Sequence, residues 1–567
     1  MNGTLTLLDG LTTWWSTGSW KDLVTYRPEE PLIFTRFFFW GFFAVVLSVY
    51  AVVHRWKGMR NAYLFLVSLF FYYKTSGLFV AILIFSTFSD YFVALAMHRT
   101  RNGLHKKLWL ALALTINLFL LCYFKYAHFL ITNINAAFGT SFHEVNWFAL
   151  WSNGLFGTKH LVDRILLPVG ISFFTFQAIS YAMDVYRGHV EPVRNILDYG
   201  FFVSFFPQLV AGPIVRASEF LPQLKRDYLL TRAAFGMAVF WILNGLLKKL
   251  VIGDYIAVNF IDRVFADPLR YTGYENLMAL YAYSLQVYAD FSGYTDIAIG
   301  VALLLGFQLP TNFNSPYKAD SVTDFWRRWH MSLSTWLRDY LYIPMGGNRG
   351  GSTFSWIMLG FIGVALMLLT GWLWLPVVYL SAIALIVVLV RAFPAFGLQV
   401  STNVNLMLTM LIGGLWHGAS WMFVIWGGLN GLALVFHKYW KRISPWAKDQ
   451  RLLVHATAVF LTFSFITFTR IWFRSDSLET ADRILHQIGS AFGWHLIPEV
   501  TRAFAPVFTV TLIGLIIHWL PATWKQRYRE RFVSLPLPAM AVVCVLVVAL
   551  IHQTLSAEMQ PFIYFQF

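Results

Sequence analysis

The chain contains few charged residues and almost no cysteine. Charged side chains make up 13% of its 567 residues, whereas a soluble domain averages about 25%. The two cysteines, Cys122 and Cys544, each lie in an apolar stretch, which argues against a disulfide framework, a thiolate metal site and a cysteine nucleophile. The sequence also lacks a His-Glu-x-x-His motif, a Gly-rich phosphate loop and a Gly-x-Ser-x-Gly elbow. We therefore predict no metal site.

Hydrophobic residues dominate what is present. They form 58% of the chain, including 54 Phe, 24 Trp and 26 Tyr. Apolar stretches long enough for a membrane helix, which needs roughly 20 residues, recur throughout the chain, and several contain Gly or Pro. The sequence predicts an all-α polytopic membrane protein with about 11 to 14 transmembrane or re-entrant helices. We expect a short extracytoplasmic segment over residues 1–32 and one transmembrane domain over residues 33–567.

Basic residues indicate the orientation in the membrane. No cleavable signal peptide is visible, since the first basic residue is Lys21 and no short apolar core precedes it. Basic clusters at residues 55–60 and 99–107 flank one apolar hairpin, and the positive-inside rule places both in the cytoplasm. The N-terminus then faces outward. The net charge of +15 mostly follows from this topology, although a basic cytosolic entrance that attracts a phosphorylated donor is a second interpretation.

His417 is the only titratable side chain in the 31 residues from Leu406 to Phe436. Charging a group away from water costs several kcal/mol, so an ionisable residue in such a stretch indicates function. The simpler interpretation is a neutral imidazole hydrogen-bonded to a neighbouring helix. Gly413, Gly414 and Gly418 favour the functional interpretation, because they let a backbone or a substrate approach closely and weaken a straight helix.

A second cluster, rich in Trp, Arg and His, extends from Asn312 to Gly351. At about 100° per residue it predicts one amphipathic helix. The members of its apolar stripe include Trp326, Trp329 and Trp336, with His330 at the edge of the stripe, and Arg327, Arg338 and Asp339 lie on the opposite side. An interfacial helix anchored by Trp and Arg is the simpler interpretation.

A third cluster contains Asp290 and Asp296 in a stretch that is otherwise uncharged between Asn276 and Tyr317. Six residues apart on a helix, the two carboxylates point to different faces, so they do not form an acid and base pair from one helix. Each is more typical of a structural hydrogen-bond acceptor that shares a face with the residue four positions away, Tyr294 for Asp290 and Ser292 for Asp296.

Several long motifs resemble the bacterial branch of the membrane-bound O-acyltransferases, and most closely the membrane subunit of alginate O-acetyltransferase complexes. They are NFNSPY, DFWRRWHMSLSTWLRDYLYIPMGGNRGG, LTMLIGGLWHGASW, LPVGISFFTFQAISYAMDVYRG, FPQLVAGPIVR and the terminal PFIYFQF. By this resemblance His417 is the catalytic histidine and His330 the second active-site histidine. We expect substrate contacts or support of the site from Trp326, Arg327, Trp329, Trp336, Arg338, Asp339, Trp416, Asn314 and Asp290. The resemblance implies a bacterial cytoplasmic membrane protein.

Acyl transfer needs a base, because a hydroxyl is a poor nucleophile at neutral pH and imidazole can take its proton. We assign that role to His417. The resemblance implies acetyl-CoA as the donor substrate, no tightly bound cofactor, an extracytoplasmic polysaccharide acceptor and a partner acetyltransferase or acceptor subunit. We expect the two substrates to meet near His417 in a water-filled tunnel. Membrane lipids surround the protein, and no nucleic acid is expected to bind.

Two other functions remain open. The first is a D-alanyl or lipid acyltransferase of the same superfamily, for which a complex with a carrier protein would be decisive. The second is a proton-coupled transporter whose intramembrane histidines relay protons, which would show substrate flux without an acyl product.

Overall fold

The described part of the chain is helical. The computed structural model describes residues 24–158, 161–370, 374–447, 449 and 451–554, and no β-strand occurs within these ranges. The all-α prediction is confirmed. Most of the predicted extracytoplasmic segment 1–32 and the terminal PFIYFQF motif lie outside the described residues.

The helices of the first half lead up to the second predicted histidine. They are α1 (Phe37–Val53), α2 (Lys57–Ser76), α3 (Val80–Arg99), α4 (Gly103–Leu121), α5 (Ala127–Phe138), α6 (Trp147–Phe156), α7 (Ile171–Arg187), α8 (Ile196–Ser204), α9 (Phe206–Leu209), α10 (Ala217–Phe220), α11 (Arg232–Leu246), α12 (Asp262–Ala266), α13 (Gly273–Leu304) and α14 (Val322–Arg328). Turns of π-helix at Cys122–Tyr126, Leu247–Asp254 and Ala257–Ile261 interrupt the pattern.

The helices of the second half begin directly after His330. They are α15 (Met331–Leu337), α16 (Thr353–Thr370), α17 (Leu375–Ala392), α18 (Pro394–His417), α19 (Trp421–Ile443), α20 (Leu452–Arg474), α21 (Leu478–Ser490), α22 (Ile497–Ala503), α23 (Ala505–Trp519), α24 (Ala522–Ser534) and α25 (Leu537–Thr554). A π-helical turn at Arg338–Tyr342 extends α15.

Six helical stretches of the described chain are long and apolar enough to cross a membrane. They are Lys57–Arg99, Gly103–Phe138, Arg232–Ala266, Gly397–His417, Leu452–Arg474 and Leu537–Thr554. A seventh is counted if α23 and the helical segment before it, which meet at 85°, form one broken span. Shorter apolar helices include α1. The protein is therefore a multi-pass membrane protein in which interrupted helices accompany the full-length ones.

The stretch Lys57–Arg99 contains the hairpin predicted from the basic clusters. Gly77, between α2 and α3, has a φ of 62°, which lets the chain reverse. Asn61 of α2 donates to Asp198 at 2.8 Å, and Tyr91 of α3 donates to the carbonyl of Arg194. Both contacts lie near the start of α8, so the two basic ends of the hairpin are on the same side of the protein.

The helices α11 and α13 pack closely in the core. A Cβ on Gly245 would lie 2.4 Å from the carbonyl oxygen of Gly293, and one on Gly293 would lie 2.7 Å from that of Gly245. Only glycine allows backbones to approach this closely. The backbones of the two helices are therefore in direct contact. This packing brings the segment after α11 against the buried carboxylates of α13.

Two lysines of that segment, the buried Lys249 and the half-buried Lys248, neutralise the two aspartates singled out in the sequence. Lys249 contacts Asp290 at 2.5 Å and Asp254 at 2.6 Å, while Lys248 contacts Asp296 at 2.7 Å. Removing one partner of a buried ion pair costs about 3–5 kcal/mol, because the other charge stays buried. Asp290 and Asp296 thus act as structural acceptors, and their partners include lysines of a neighbouring segment.

Candidate active site

His417 is the last residue of α18, and 3% of its surface is exposed. The helix ends there because Gly418 is extended, with φ −159° and ψ 150°. Ser420 then caps α19 by accepting a hydrogen bond from the amide of Met422. The uncharged 31-residue run is therefore two helices joined by a short turn. The imidazole of His417 lies at the end of the first of these helices.

Glycines hold the helices α18 and α19 together next to His417. A Cβ on Gly414 would lie 2.3 Å from the carbonyl oxygen of Phe423, and one on Gly427 would lie 2.4 Å from that of Met410. A Cβ on Gly418 would lie 2.0 Å from the Phe423 ring. The close approach predicted from the glycines is confirmed. The groups that approach them are the backbone of the neighbouring helix and the Phe423 ring.

Every carbonyl in the last turn of α18 has a hydrogen-bond donor. A helix leaves its last four carbonyls without partners inside the helix. Here Gly418 donates to Gly414 at 3.4 Å and the Tyr126 hydroxyl donates to Leu415 at 2.7 Å. The Lys125 ammonium donates to the carbonyls of Trp416 and His417, the latter at 3.2 Å. A cation at the negative end of a helix is stabilising, so Lys125 fixes the end of the helix that carries His417.

His330 lies between two short helices, and none of its surface is exposed. The predicted single amphipathic helix is wrong, because α14 ends at Arg328 and α15 begins at Met331. His330 has φ 42° and ψ 56°, the left-handed region that non-glycine residues enter at a cost of about 1–2 kcal/mol. Such strained residues are common at functional sites.

Asn312 stabilises the break at His330. This buried residue accepts from the amide of Met331 through its carbonyl, at 2.9 Å. Its side-chain oxygen accepts from the amide and the hydroxyl of Ser332, at 3.0 and 2.9 Å. The start of α15 is therefore bonded to an extended segment 20 residues earlier in the chain. These contacts compensate for the backbone strain at His330.

The two histidines lie close together in an aromatic environment. Their ring centroids are 6.4 Å apart. His330 packs edge-to-face against Phe291 at 4.7 Å, and its centroid is 5.6 Å from that of Trp416. His417 meets Trp426 edge-to-face at 5.2 Å. Tertiary packing therefore brings the two imidazoles of the predicted site into one buried cluster.

A cavity beside His417 has room for about one water molecule. Its lining includes His417, Trp329, Trp426, Phe473, Asn430 and Arg470. His330 is not among the lining residues, so within this cluster the two histidines have different surroundings. His417 faces the cavity, while His330 packs behind it against Phe291 and Trp416.

Known proteins with similar sequences decide the family. The model of the membrane-bound O-acyltransferase family matches residues 193–403. A peptidoglycan O-acetyltransferase of Helicobacter pylori is 37% identical over 75% of this chain and 72% of its own length. The chain belongs to the membrane-bound O-acyltransferase family. A probable alginate O-acetylase of Pseudomonas putida is 33% identical over 90% of the chain and 94% of its own length, and a teichoic acid D-alanyltransferase of Bacillus subtilis is 27% identical over 54% and 69%.

Membership of the O-acyltransferase family makes the protein an acyltransferase and confirms the resemblance inferred from the motifs. The stretch matched by the family model contains His330 and ends before His417. His417 is covered instead by the similarity to whole relatives such as the one from Pseudomonas putida. The catalytic roles of the two histidines stay predictions.

Three of the predicted supporting residues pack against the histidine cluster. Trp329 lines the cavity, and Trp416 adjoins both histidines. Trp336 stacks on Phe176 at 3.8 Å and donates its indole N–H to the Phe176 carbonyl at 2.9 Å. These tryptophans are 2% to 6% exposed, so they are core residues and not interfacial anchors. Trp326 is further out, edge-to-face with Trp426 at 5.7 Å.

The other predicted supporting residues lie away from the cavity beside His417. Asn314 and Arg327 are exposed. Arg338 is exposed and bonds to Asp339, which also pairs with Arg216 at 3.2 Å. Arg338 and Asp339 follow α15, at the end of that helix remote from His330. Asp290 is held in the lysine cluster described above and is not among the cavity-lining residues.

The residues that the sequence interpretation missed are Lys125, Arg470, Asn430 and Asn312. Lys125 and Arg470 are charged residues within otherwise apolar spans, which is the signal that singled out His417. The same criterion applied to the other spans would have found both. Asn430 and Asn312 have no such signal, because buried asparagines are indistinguishable in sequence from exposed ones.

Within the described residues no group of three His, Cys, Asp or Glu side chains converges to bind a metal ion. The absence of a metal therefore stays a prediction. The chemistry available at the cavity is that of imidazole, amide and guanidinium groups, which is sufficient for proton transfer and for hydrogen bonding to a carbonyl oxygen.

Proposed function

We propose that this protein transfers an acetyl group from cytoplasmic acetyl-CoA to a hydroxyl group of an extracytoplasmic polysaccharide, directly or through a partner protein. One observation carries the proposal. His417 is the imidazole that lines the buried cavity, and the end of its helix is fixed by hydrogen bonds to all four terminal carbonyls. A base held at one position in an enclosed site is what transfer to a hydroxyl requires.

In this mechanism His417 takes the proton of the acceptor hydroxyl as its oxygen attacks the thioester carbonyl. A C–O bond forms and the carbonyl oxygen becomes an oxyanion. When the oxyanion collapses, the C–S bond breaks and His417 returns the proton to the departing thiolate. General base catalysis contributes about 10²- to 10⁴-fold, so positioning and stabilisation of the oxyanion must supply the rest.

We assign His330 a positioning role. Its ring packs against Trp416 and Phe291, and none of its surface is exposed. Because Trp416 also contacts His417 at 5.1 Å, His330 can restrict the orientation of the catalytic imidazole through this shared neighbour. This differs from a group that contacts the substrate directly.

The small size of the cavity implies movement on binding. A thioester group does not fit into room for about one water molecule. The aromatic side chains around His417, among them Trp426 and Phe473, therefore separate when the donor enters. The tunnel that joins the cytoplasm to the exterior, and the bacterial inner membrane as location, belong to this proposal.

The relatives support the acetyl donor class over the alternatives. The relatives with 33% and 37% identity are named for O-acetyl transfer to peptidoglycan or alginate, whereas the D-alanyltransferase is 27% identical over about half of the chain. A D-alanyl donor on a carrier protein is the second candidate. The transporter alternative lacks support from these names.

The test is acetyl transfer by the purified protein in lipid nanodiscs with radiolabelled acetyl-CoA. We expect His417→Ala to abolish labelled product and thioester hydrolysis while the protein stays folded. His330→Asn keeps a residue that tolerates the left-handed backbone, so activity should fall while stability is kept. His437→Ala is the control, since His437 lies at the opposite end of α19 against Thr323.

Three results would contradict the proposal. Full activity of His417→Ala would remove the assigned base. Labelling from a D-alanyl carrier protein but not from acetyl-CoA would favour the second candidate. Substrate flux into sealed vesicles without any acyl product would favour a transporter.

A further inference from the structure

Arg470 is a buried cation in the wall of the His417 cavity. It lies one turn before the end of α20 and is 3% exposed. Its guanidinium carbon is 4.9 Å from the centroid of the Trp329 ring, and one of its terminal nitrogens donates to the Tyr317 hydroxyl at 3.1 Å. Stacking and this hydrogen bond hold the guanidinium in one orientation.

No carboxylate neutralises Arg470 in the described part of the chain, where none lies within 4.0 Å of the guanidinium. Its Nε is buried and has no hydrogen-bond partner among these residues. The contrast with its neighbours is clear, since Arg474, one turn later, pairs with Asp262 at 3.3 Å and the buried Lys249 has two aspartates. A buried cation without an anion is costly, so negative charge on a substrate would be stabilised beside Arg470.

A second unsatisfied group lines the same cavity. Asn430 is fully buried and donates its amide nitrogen to the Trp426 carbonyl at 2.9 Å. Its side-chain oxygen is buried without a partner in the described structure. An unpaired donor on Arg470 and an unpaired acceptor on Asn430 both belong to residues that line the cavity beside His417. Buried polar groups are normally satisfied, so this arrangement indicates a polar ligand.

We propose that Arg470 is a further catalytic residue, which donates a hydrogen bond to the acyl carbonyl oxygen as negative charge develops on it. This rests on the proposed role of His417. When the hydroxyl oxygen attacks and His417 takes its proton, the carbonyl π electrons move to oxygen, and the guanidinium N–H stabilises that oxyanion. When the C–S bond breaks, the carbonyl re-forms and its hydrogen bond weakens.

The position of Arg470 favours an oxyanion, because the guanidinium and the assigned base His417 line the same cavity. The buried Nε–H of Arg470, which has no partner in the described structure, is a donor available to a carbonyl oxygen held beside His417. A preorganised donor in a dry site is most effective on charge that appears only in the transition state.

The experiment compares Arg470→Met, Arg470→Gln and Arg470→Lys, with Arg474→Met as the matched control one turn away. Removing one oxyanion donor lowers kcat by about 10²- to 10³-fold. We expect a loss of that size in kcat for Arg470→Met with an unchanged KM for acetyl-CoA, since the contact forms only in the transition state. Arg470→Gln keeps a neutral N–H, and Arg470→Lys keeps the charge without the planar fork, so both should retain part of the activity.

Stability serves as the second measurement. Arg470→Met should keep the Tm of the unmodified protein, because it leaves no carboxylate unpaired. Arg474→Met should lower the Tm slightly, because it leaves Asp262 unpaired, and it should keep the wild-type kcat. A wild-type kcat for Arg470→Met would overturn the proposal, as would a raised KM with unchanged kcat, which indicates an anion bound in the ground state. If Arg470→Met misfolds, the kcat of Arg470→Gln decides in the same way.

The two proposals fail separately. An inactive His417→Ala together with a fully active Arg470→Met would leave the proposed function intact and remove only the role of Arg470. A fully active His417→Ala would contradict the proposed function itself.

Discussion

Replacing Lys125 by Met tests whether the fixed end of α18 is needed for catalysis. Lys125 is the donor for the carbonyls of Trp416 and His417. Hydrogen bonds to a charged group contribute about 1.5–3 kcal/mol each, and a cation at a helix C-terminus contributes up to about 2 kcal/mol. Part of this is offset, because the variant no longer buries an ammonium group. We therefore take about 2 kcal/mol as the net loss at the helix end.

If that free energy holds His417 in its catalytic position, about 2 kcal/mol corresponds to a fall in kcat of about 30-fold. The assay is the initial rate of acetyl transfer from labelled acetyl-CoA in nanodiscs, with the Tm followed by tryptophan fluorescence. Tyr126→Phe removes one neutral bond, to Leu415, and should lower kcat only severalfold. Lys107→Met is the control, since Lys107 is an exposed residue of α4. Wild-type kcat and Tm for Lys125→Met would refute the reasoning.

Two further predictions use matched neighbours. Gly427→Ala should lower the free energy of unfolding by about 1–3 kcal/mol, because its Cβ would lie 2.4 Å from the Met410 carbonyl oxygen. Gly428→Ala, whose Cβ would lie 3.6 Å from its nearest neighbour, should be nearly neutral in the same denaturation experiment, and equal effects would contradict the close packing. Asn312→Ala should lower both Tm and kcat, because it leaves donors near His330 unsatisfied at about 1–3 kcal/mol. The exposed Asn314→Ala should change neither, and a larger effect at Asn314 would show that the break at His330 is stabilised in another way.

The placement of the tryptophans shows where a periodic pattern is informative and where it is not. The spacing of Trp329 and Trp336 placed them on one apolar stripe, and both residues are buried. The same spacing could not reveal that the helix breaks at His330, because two short helices in sequence keep nearly the same apolar pattern as one long helix. The break depends on Asn312, whose contacts with Ser332 involve a separate segment of the chain.

The asparagines show the same limit. Asn314 and Asn312 belong to one NFNSPY motif, and the sequence interpretation selected Asn314, which is exposed. Composition and spacing treat the two residues alike. Only the path of the extended segment decides that Asn312 is buried and reaches the start of α15.

The sequence by itself determined that this is a helical membrane acyltransferase and that His417 is its most unusual residue, because hydropathy, isolated charge and long motifs are local properties. The tertiary structure alone decided which groups surround that imidazole. Lys125 reaches Trp416 across 291 positions of the chain, and Arg470 joins the cavity from another helix. Such contacts depend on how the helices pack and where the backbone breaks, and no local pattern specifies either of them.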